Sequence, residues 1–162
     1  MFDTFGEFDS AEEINKAAAG QLVQGDTQAI RDIARENGLD PADAEDYIAG
    51  DVTELCNPLM AALGKIKVEE DELKPVEIVQ DWINYIKAQV TEHPDMAIAV
   101  RRKGKTIKSC IAELLKWSFK NCYPVDKDIV KVAGVGASVK MGIPGMGRAY
   151  EIIKAYYLGG AK

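Results

Sequence analysis

Helix start and stop signals recur along this chain, and they restrict its fold more than any other sequence feature. Ser10 and Glu13 stand three residues apart at the start of a helix-like segment, which is the pattern of a capping box. Gly25 follows that segment, so a helix is predicted from about residue 10 to residue 24. Residues of the same kinds mark two further short helices: Asp26 and Asp40-Pro41 at their starts, and Gly38 and Gly50 after their ends.

Apolar residues at helical spacing continue through the rest of the chain. They predict helices over residues 53–73 and 75–92, a helix ending near Lys103, one over 105–122, a short one after Asp126, and a closing one. The spacing predicts these inner residues for the last two long helices: Ile107, Cys110, Ile111, Leu114, Leu115, Ser118 and Phe119, then Ala149, Ile152, Ile153 and Tyr156. No segment alternates with the period of a strand. The sequence therefore predicts an all-α fold, a compact multi-helix bundle of about six to eight helices.

Charge is divided unequally along the chain. Residues 1–100 contain 22 Asp and Glu against 7 Lys and Arg, a balance of −15, whereas residues 101–162 contain 4 against 13, a balance of +9. Such asymmetry indicates either a charged partner or two parts that neutralise each other within the fold. We predict an acidic N-terminal helical module at residues 1–72 and a C-terminal helical domain at residues 73–162, with the basic part at its end.

The segment MAIAVRRKGKT, residues 96–106, shares its last three residues with a phosphate-binding loop. Such a loop reads G-x-x-x-x-G-K-[ST] between a strand and a helix. Ala99 occupies the position of its first glycine, and three basic side chains crowd a loop in which backbone amides should bind the phosphate. The segment is therefore predicted to be a helix end, a turn at Gly104 and the start of the next helix.

The densest basic cluster of the sequence surrounds that turn: Arg101, Arg102, Lys103, Lys105 and Lys108. Such a cluster can bind phosphates, because each neutralised phosphate releases counterions, or it can bind an acidic protein surface. The alternative is a solvated corner whose charges pair with the acidic part of the chain. The sequence leaves both interpretations open, and these five residues are the candidate contact for a partner or nucleic acid.

Residues that could support catalysis or metal binding are few. His93 is the single histidine, which excludes a His-pair metal site. Cys110 and Cys122 lie on or beside an apolar helical face and are expected to behave as small apolar side chains. The spacing of a calcium-binding loop is not matched by Asp43, Glu45, Asp46 and Asp51. We therefore predict that the protein is not an enzyme and binds neither a metal nor a cofactor.

The sequence gives no sign of a membrane or of export. No apolar stretch approaches the about 18 residues of a membrane span, and the opening MFDTFGEFDS lacks the features of a signal peptide. Three cysteines, an odd number without a C-x-x-C pattern, favour reduced thiols. A cytoplasmic protein without membrane association is the expectation.

The segments RRKGKTIKSCIAELLKWSFKN and AYEIIKAYYLG resemble the PcfK-like family, which plasmids and prophages carry. The matching features are the basic run 102–105, the helix around Cys110 and Ile111, and the Ile-x-x-Tyr-Tyr pattern at residues 153–157. DAEDYIAGD and LCNPLMAALGKI are also similar to segments of longer proteins of this group. The glycine-rich stretch 134–147 departs from the typical ending of the family.

A branch of that family is grouped with anti-CRISPR inhibitors. The resemblance therefore implies a phage- or plasmid-encoded protein that binds and inhibits a type II CRISPR RNA-guided DNA nuclease, or its guide-RNA complex, without catalysis, in the cytoplasm of a bacterial host. Such nucleases hold a heteroduplex in a positively charged channel, where an acidic module could act as a duplex mimic. The candidate mimic surface comprises Asp43, Glu45, Asp46, Asp51, Glu69, Glu70, Asp71 and Glu72.

Two alternatives to this mimic remain open. The basic half could instead contact the guide RNA or an acidic face of the nuclease. The protein could also be a nucleic-acid-binding accessory protein of a plasmid or phage, using the basic cluster.

Overall fold

The computed structural model describes residues 4–136 and 138–159. Helices dominate this part of the chain, and its only sheet is a pair of two-residue strands, so the all-α prediction is confirmed. The helices are α1 (Ala11–Gln24), α2 (Thr27–Glu36), α3 (Pro41–Ala49), α4 (Pro58–Leu73), α5 (Ile78–Glu92), α6 (Pro94–Arg101), α7 (Ile107–Lys120), α8 (Lys127–Val132) and α9 (Met146–Leu158). The strands are β1 (Tyr123–Pro124) and β2 (Lys140–Met141). None of the described helices has the length and apolar character needed to cross a membrane.

Side-chain caps fix where the helices begin. The Ser10 hydroxyl accepts a hydrogen bond from the Glu13 N–H, as in the predicted capping box, and the Glu13 carboxylate accepts its bond from the N–H of Asp9, one residue before the N-cap. Gly25 and Gly50, both in the left-handed backbone region, end α1 and α3 as predicted. Side chains of Asp and Asn cap the starts of four other helices: Asp26, Asp40, Asn57 and Asp126.

Two helices begin later than predicted. α4 begins at Pro58 and not near residue 53, because the Asn57 side chain caps the Met60 N–H and proline is suited to the first helical turn. α5 begins at Ile78 and not at Pro75. Glu77, just before it, has a φ of 50°, a value incompatible with a right-handed helix.

The chain divides into two compact units, Met1–Lys108 (unit 1) and Ser109–Lys162 (unit 2). This division differs from the boundary predicted between residues 72 and 73, which would cut α4. Within unit 1, α4 packs against α5 and α6. The Lys65 ammonium also donates a hydrogen bond to the Arg102 carbonyl. These contacts join residues on both sides of residue 72 in one unit.

The core of unit 1 brings backbone against backbone where the end of α2 meets α4. A Cβ on Gly64 would lie 2.2 Å from the Asn37 carbonyl oxygen, and a Cβ on Gly38 would lie 2.3 Å from the Gly64 carbonyl oxygen. Gly38 also has a φ of +67°, which favours glycine. The apolar residues buried in this unit include Ile14, Ile30, Ile33, Ile66, Ile83, Ile86 and Met96.

Unit 2 contains the exposed antiparallel pair β1–β2, in which Tyr123 lies opposite Met141. Gly142 follows β2 and lies against the end of α7, where a Cβ would be 2.6 Å from the Ser118 carbonyl oxygen. On α9, Ala149 and Ile153 are buried as predicted. The third buried residue is Tyr157 and not the predicted Tyr156, which is half-buried like Ile152.

The inner face of α7 is narrower than predicted. Ile107, Cys110 and Leu114 are buried, whereas Leu115 and Phe119 are 55% and 78% exposed. Consecutive helical residues are separated by about 100° around the axis, so Leu114 and Leu115 cannot both point at a narrow buried region. The exposed pair is therefore left on the surface.

Candidate functional site

The segment between α6 and α7 has the predicted form of helix end, turn and helix start. α6 ends at Arg101, Gly104 has a φ of 74°, and α7 begins at Ile107. Gly104 therefore adopts the left-handed conformation that such a turn requires. The five residues of the basic cluster, which ends at Lys108, all belong to unit 1.

Arg101 does not belong to a surface cluster, and this part of the prediction is wrong. The residue is 1% exposed, and its Nη2 donates a hydrogen bond of 2.6 Å to the Asn37 side-chain oxygen. Burial lowers the pKa of the guanidinium, an effect that the carboxylates of Glu7 and Glu69 oppose. Arg101 lies on the same helical face as buried Ala97, so helix geometry directs it inward.

The other four cations remain accessible, and acidic side chains lie near two of them. Arg102, Lys103 and Lys108 are exposed, and Lys105 is half-buried. The Lys103 Nζ is 3.8 Å from a Glu13 carboxylate oxygen, and the Lys108 Nζ is 3.7 Å from one of Glu72. Exposed pairs of this kind contribute at most about 1 kcal/mol. They partly neutralise the cluster, as the solvated-corner interpretation expects. Because the pairs are weak, an anionic partner that binds these lysines more tightly would replace the two carboxylates.

A buried polar network that the sequence did not reveal lies beneath this turn. The Lys65 side chain is 1% exposed, and its Nζ is 2.6 Å from Glu7 Oε1, 2.8 Å from the Arg102 carbonyl oxygen and 4.0 Å from Glu69 Oε1. The available signal was the position of Lys65, four residues after Ala61 and three after Ala62 on the apolar face of α4. The network fixes the turn to α4 and to segment 4–9.

Glu69 belongs to this network and not to the predicted acidic surface. Its side chain is buried, and its Oε2 accepts a hydrogen bond of 2.5 Å from the Ile107 N–H at the start of α7. Burial raises the pKa of this carboxyl, while the Ile107 hydrogen bond and the Lys65 ammonium act in the opposite direction. The role of Glu69 is therefore to satisfy an amide at the start of a helix.

Three exposed or half-buried members of the predicted acidic surface lie near cations: Glu45, Glu70 and Glu72, the last of which lies 3.7 Å from the Lys108 Nζ. The Arg31 guanidinium donates to both carboxylate oxygens of Glu45, at 2.6 and 3.0 Å, and this hydrogen bonding lowers the pKa of Glu45. Glu70 lies 2.5 Å from the Lys87 Nζ. Burial acts to raise the pKa of Glu70, but the hydrogen bonds from Lys87 and Gln80 outweigh it and lower the pKa. Asp71 and Glu72 are exposed.

Four acids on α3 and in the loop after it form a carboxylate surface that is not matched by cations. Asp43 and Asp46 of α3 and Glu54 of the following loop line one shallow hollow of about 290 Å³. Among the described residues, none of the three carboxylates has a cationic partner within 4.0 Å, and the same holds for exposed Asp51. Sequence reasoning missed Glu54, which lies in a loop without periodicity. We call Asp43, Asp46, Asp51 and Glu54 the α3 acidic surface.

The same hollow contains a cysteine that is unsuited to nucleophilic chemistry. Cys56 is buried, and burial raises the pKa of its thiol to about 12. Its backbone N–H and C=O both bond to the Asn15 side chain, at 3.0 and 2.8 Å. The thiol therefore acts as a small packed side chain of unit 1.

A larger cleft of about 400 Å³ lies between α2, α3 and α4. Apolar atoms of Leu39, Ala44 and Val68 line it, together with these charged residues: Arg31, Arg35, Lys67, Asp32, Glu45 and Asp71. Arg35 lies 2.8 Å from Asp32, and Arg31 lies 2.6 Å from Glu45. The cleft therefore carries charges of both signs, largely engaged with one another.

Within residues 4–136 and 138–159, no group of three or more His, Cys, Asp or Glu side chains is placed to hold a metal ion. Comparison with protein families, with curated proteins and with solved structures found no match for this chain. Membership of the PcfK-like family therefore stays a hypothesis that rests on the motifs of the sequence.

Proposed function

We propose that this protein is a phage- or plasmid-encoded anti-CRISPR protein of the PcfK-like group. In this proposal it binds and inhibits a type II CRISPR RNA-guided DNA nuclease without catalysing a reaction, in the cytoplasm of a bacterial host. The α3 acidic surface makes the inhibitory contact. The observation that supports this choice is the set of carboxylates at Asp43, Asp46 and Glu54, which share one hollow without a cationic partner nearby.

The charge of unit 1 favours an acidic contact over a basic one. Residues 1–108 contain 22 Asp and Glu and 12 Lys and Arg, a balance of −10. The basic cluster loses Arg101 to the core, and carboxylates lie within 4.0 Å of Lys103 and Lys108. A protein of this charge is attracted to a positively charged groove over a distance set by salt screening.

An RNA-guided nuclease offers such a groove. It holds the heteroduplex in a channel lined by basic side chains, which recognise the backbone and not the sequence. Arginine binds carboxylates through the same paired hydrogen bonds with which it binds phosphates. The α3 acidic surface would therefore occupy basic positions that the nuclease needs for nucleic acid.

The test is plasmid cleavage by a purified, guide-loaded type II nuclease with excess protein. Neutralising Asp46 and Glu54 together, as Asp46→Asn with Glu54→Gln, should raise the half-inhibitory concentration about tenfold, equivalent to about 1.4 kcal/mol. Glu12→Gln with Glu77→Gln is the matched control, because it also removes two exposed carboxylates and neither of them lines the hollow. Unimpaired cleavage across a panel of type II nucleases would refute the proposal.

The second candidate function is a nucleic-acid-binding accessory protein of a plasmid or phage. The exposure of Arg102, Lys103 and Lys108 at one turn favours it. Mobility-shift assays with DNA and RNA at low and moderate salt separate the candidates, since phosphate contacts weaken steeply with salt. Salt-sensitive binding that Lys103→Gln weakens would support this second function, and its absence would remove it.

A further inference from the structure

We propose that the cleft between α2, α3 and α4 binds a small zwitterion with an apolar side chain, which is the chemistry of a free apolar amino acid. Lys67 binds the carboxylate of this ligand, Asp71 binds its ammonium, and the apolar floor of the cleft covers its side chain. The cleft shares no residue with the α3 acidic surface, so this inference is independent of the proposed function.

The cleft has the size and the lining of a small-molecule site. Its volume of about 400 Å³ lies within the range of ligand pockets, about 300–1,000 Å³. Apolar side chains of all three helices line it: Ala34 of α2, Ala44 of α3 and Val68 of α4, with Leu39 from the segment between α2 and α3. Ala34, Leu39 and Ala44 are buried and form its floor. An apolar lining with a few polar groups that fix orientation is typical of such sites.

Backbone packing holds one end of the cleft in place. A Cβ on Gly38, which follows α2, would lie 2.3 Å from the Gly64 carbonyl oxygen and 2.9 Å from the Val68 Cγ2 atom. Both Gly38 and Val68 line the cleft. The end of α2 and the middle of α4 are therefore already in contact, and they cannot move closer together. A preformed site of this kind loses little binding free energy to ordering.

Four of the charged residues that line the cleft already have partners. The Arg31 guanidinium donates to both carboxylate oxygens of Glu45 on α3. Arg35 lies 2.8 Å from Asp32 within α2. These side chains neutralise one another in pairs, so a ligand that used one of them would first have to break an existing pair.

Two opposite charges on α4 remain for a ligand. Lys67 and Asp71 are both exposed, and both line the cleft. Among the described residues, neither has an opposite charge within 4.0 Å, and they do not pair with each other. Residues four apart on a helix share one face, with Cβ atoms about 5–6 Å apart. Because the lysine side chain is long, one small molecule can contact both charges.

This combination of one cation and one anion selects the chemistry of the ligand. A simple anion would be attracted to the Lys67 ammonium but repelled by the Asp71 carboxylate, and a simple cation would meet the reverse. A zwitterion satisfies both charges. An apolar side chain on the same molecule removes apolar atoms of the floor from water. A free apolar amino acid combines these three parts.

The experiment titrates the isotope-labelled protein with L-phenylalanine and follows the amide resonances by NMR. Two analogues each lack one charge: phenethylamine has no carboxylate, and hydrocinnamate has no ammonium. L-phenylalanine should shift the resonances of cleft residues such as Leu39, Ala44 and Val68, with a dissociation constant of about 1 mM or below. Each analogue should bind about fivefold more weakly, the contribution of one exposed charge pair.

Two substitutions assign each charge of the ligand to one side chain. Lys67→Met should weaken the binding of L-phenylalanine about fivefold but should not weaken that of phenethylamine, which has no carboxylate to lose a partner. Asp71→Asn should weaken L-phenylalanine equally but should not weaken hydrocinnamate. The matched controls are Lys16→Met and Asp81→Asn, which change exposed residues outside the cleft and should leave all three affinities unchanged.

The comparison of the three ligands on the wild-type protein decides the proposal even if a variant fails to fold. Absence of shifts at the cleft with about 20 mM L-phenylalanine would overturn it. Equal affinity for hydrocinnamate would make the cleft an anion site, and equal affinity for phenethylamine would make it a cation site, so that the proposal fails in either case. None of these results changes the proposed function, which is measured by nuclease inhibition through other residues.

Discussion

Replacing the buried Lys65 with methionine tests whether the polar network beneath the α6–α7 turn stabilises unit 1. Lys65→Met preserves a long flexible side chain but removes the ammonium. That ammonium lies 2.6 Å from Glu7 Oε1 and 2.8 Å from the Arg102 carbonyl oxygen. The substitution therefore leaves a carboxylate and a carbonyl without their common donor.

The expected loss can be worked from these contacts. Each hydrogen bond to a charged group contributes about 1.5–3 kcal/mol to the free energy of unfolding, so the two together contribute about 3–6 kcal/mol. Two effects offset part of this loss. Methionine avoids the cost of burying a charge, and Glu7, whose side chain is 27% exposed, can regain contact with water. We expect a net loss of about 3 kcal/mol, at the lower end of the range for a broken buried ion pair.

Urea unfolding measures this loss in unit 1 alone if the fluorescence comes from one tryptophan. The chain has two, and Trp117→Phe leaves Trp82, which is buried in unit 1, as the only probe. With a slope of about 2 kcal/mol per molar urea, the midpoint should fall by about 1.5 M. Lys67→Met, two residues along α4 at an exposed position, should change stability by less than about 0.5 kcal/mol. Equal midpoints for the two variants would refute the reasoning.

Three further predictions concern stability and reactivity. Gly64→Ala should destabilise unit 1 by about 1–3 kcal/mol, because its Cβ would clash with the backbone at Asn37. Gly20→Ala, in open space on α1, should stabilise the unit by up to about 1 kcal/mol. Thermal unfolding should therefore show midpoint temperatures that shift in opposite directions for the two variants. The pKa of Glu69 is raised in the fold, so folding opposes the ionisation of this carboxyl. The wild-type protein should therefore lose stability relative to Glu69→Gln as pH rises above about 4.5. Urea midpoints of both proteins between about pH 4 and 7 check this. A thiol reagent at about pH 8 should modify exposed Cys122 well before buried Cys56, as mass spectrometry of peptides would show.

The helices of this chain could be predicted because their signals are local. Ser10, Gly25 and Asp126 act on amides and carbonyls within a few residues, so the sequence contains both partners of each cap. The starts of α4 and α5 were placed too early because Asn57 and Glu77 interrupt segments with helical periodicity.

The candidate site could be predicted only in part, because charge indicates exposure on average and not at each position. Arg101 and Glu69 were assigned to surfaces from their residue type, yet both are buried by partners distant in sequence, Asn37 and Ile107. Asp43 and Asp46 were identified from α3. Their neighbour Glu54 becomes part of the same surface only when the loop folds back over the helix.

Segment 4–9 also sets the order in which unit 1 can be completed during synthesis. The segment binds Glu36 through the Thr4 N–H, Lys65 through Glu7, and the Lys103 N–H through Asp9, across sequence separations of 32, 58 and 94 residues. At about 5–20 residues per second, Asp9 waits roughly 5–20 s for its last partner to be made. Until then the Asp9 carboxylate lacks the Lys103 N–H and the Lys65 ammonium lacks the Arg102 carbonyl, so a nascent chain halted before residue 102 should stay protease-sensitive.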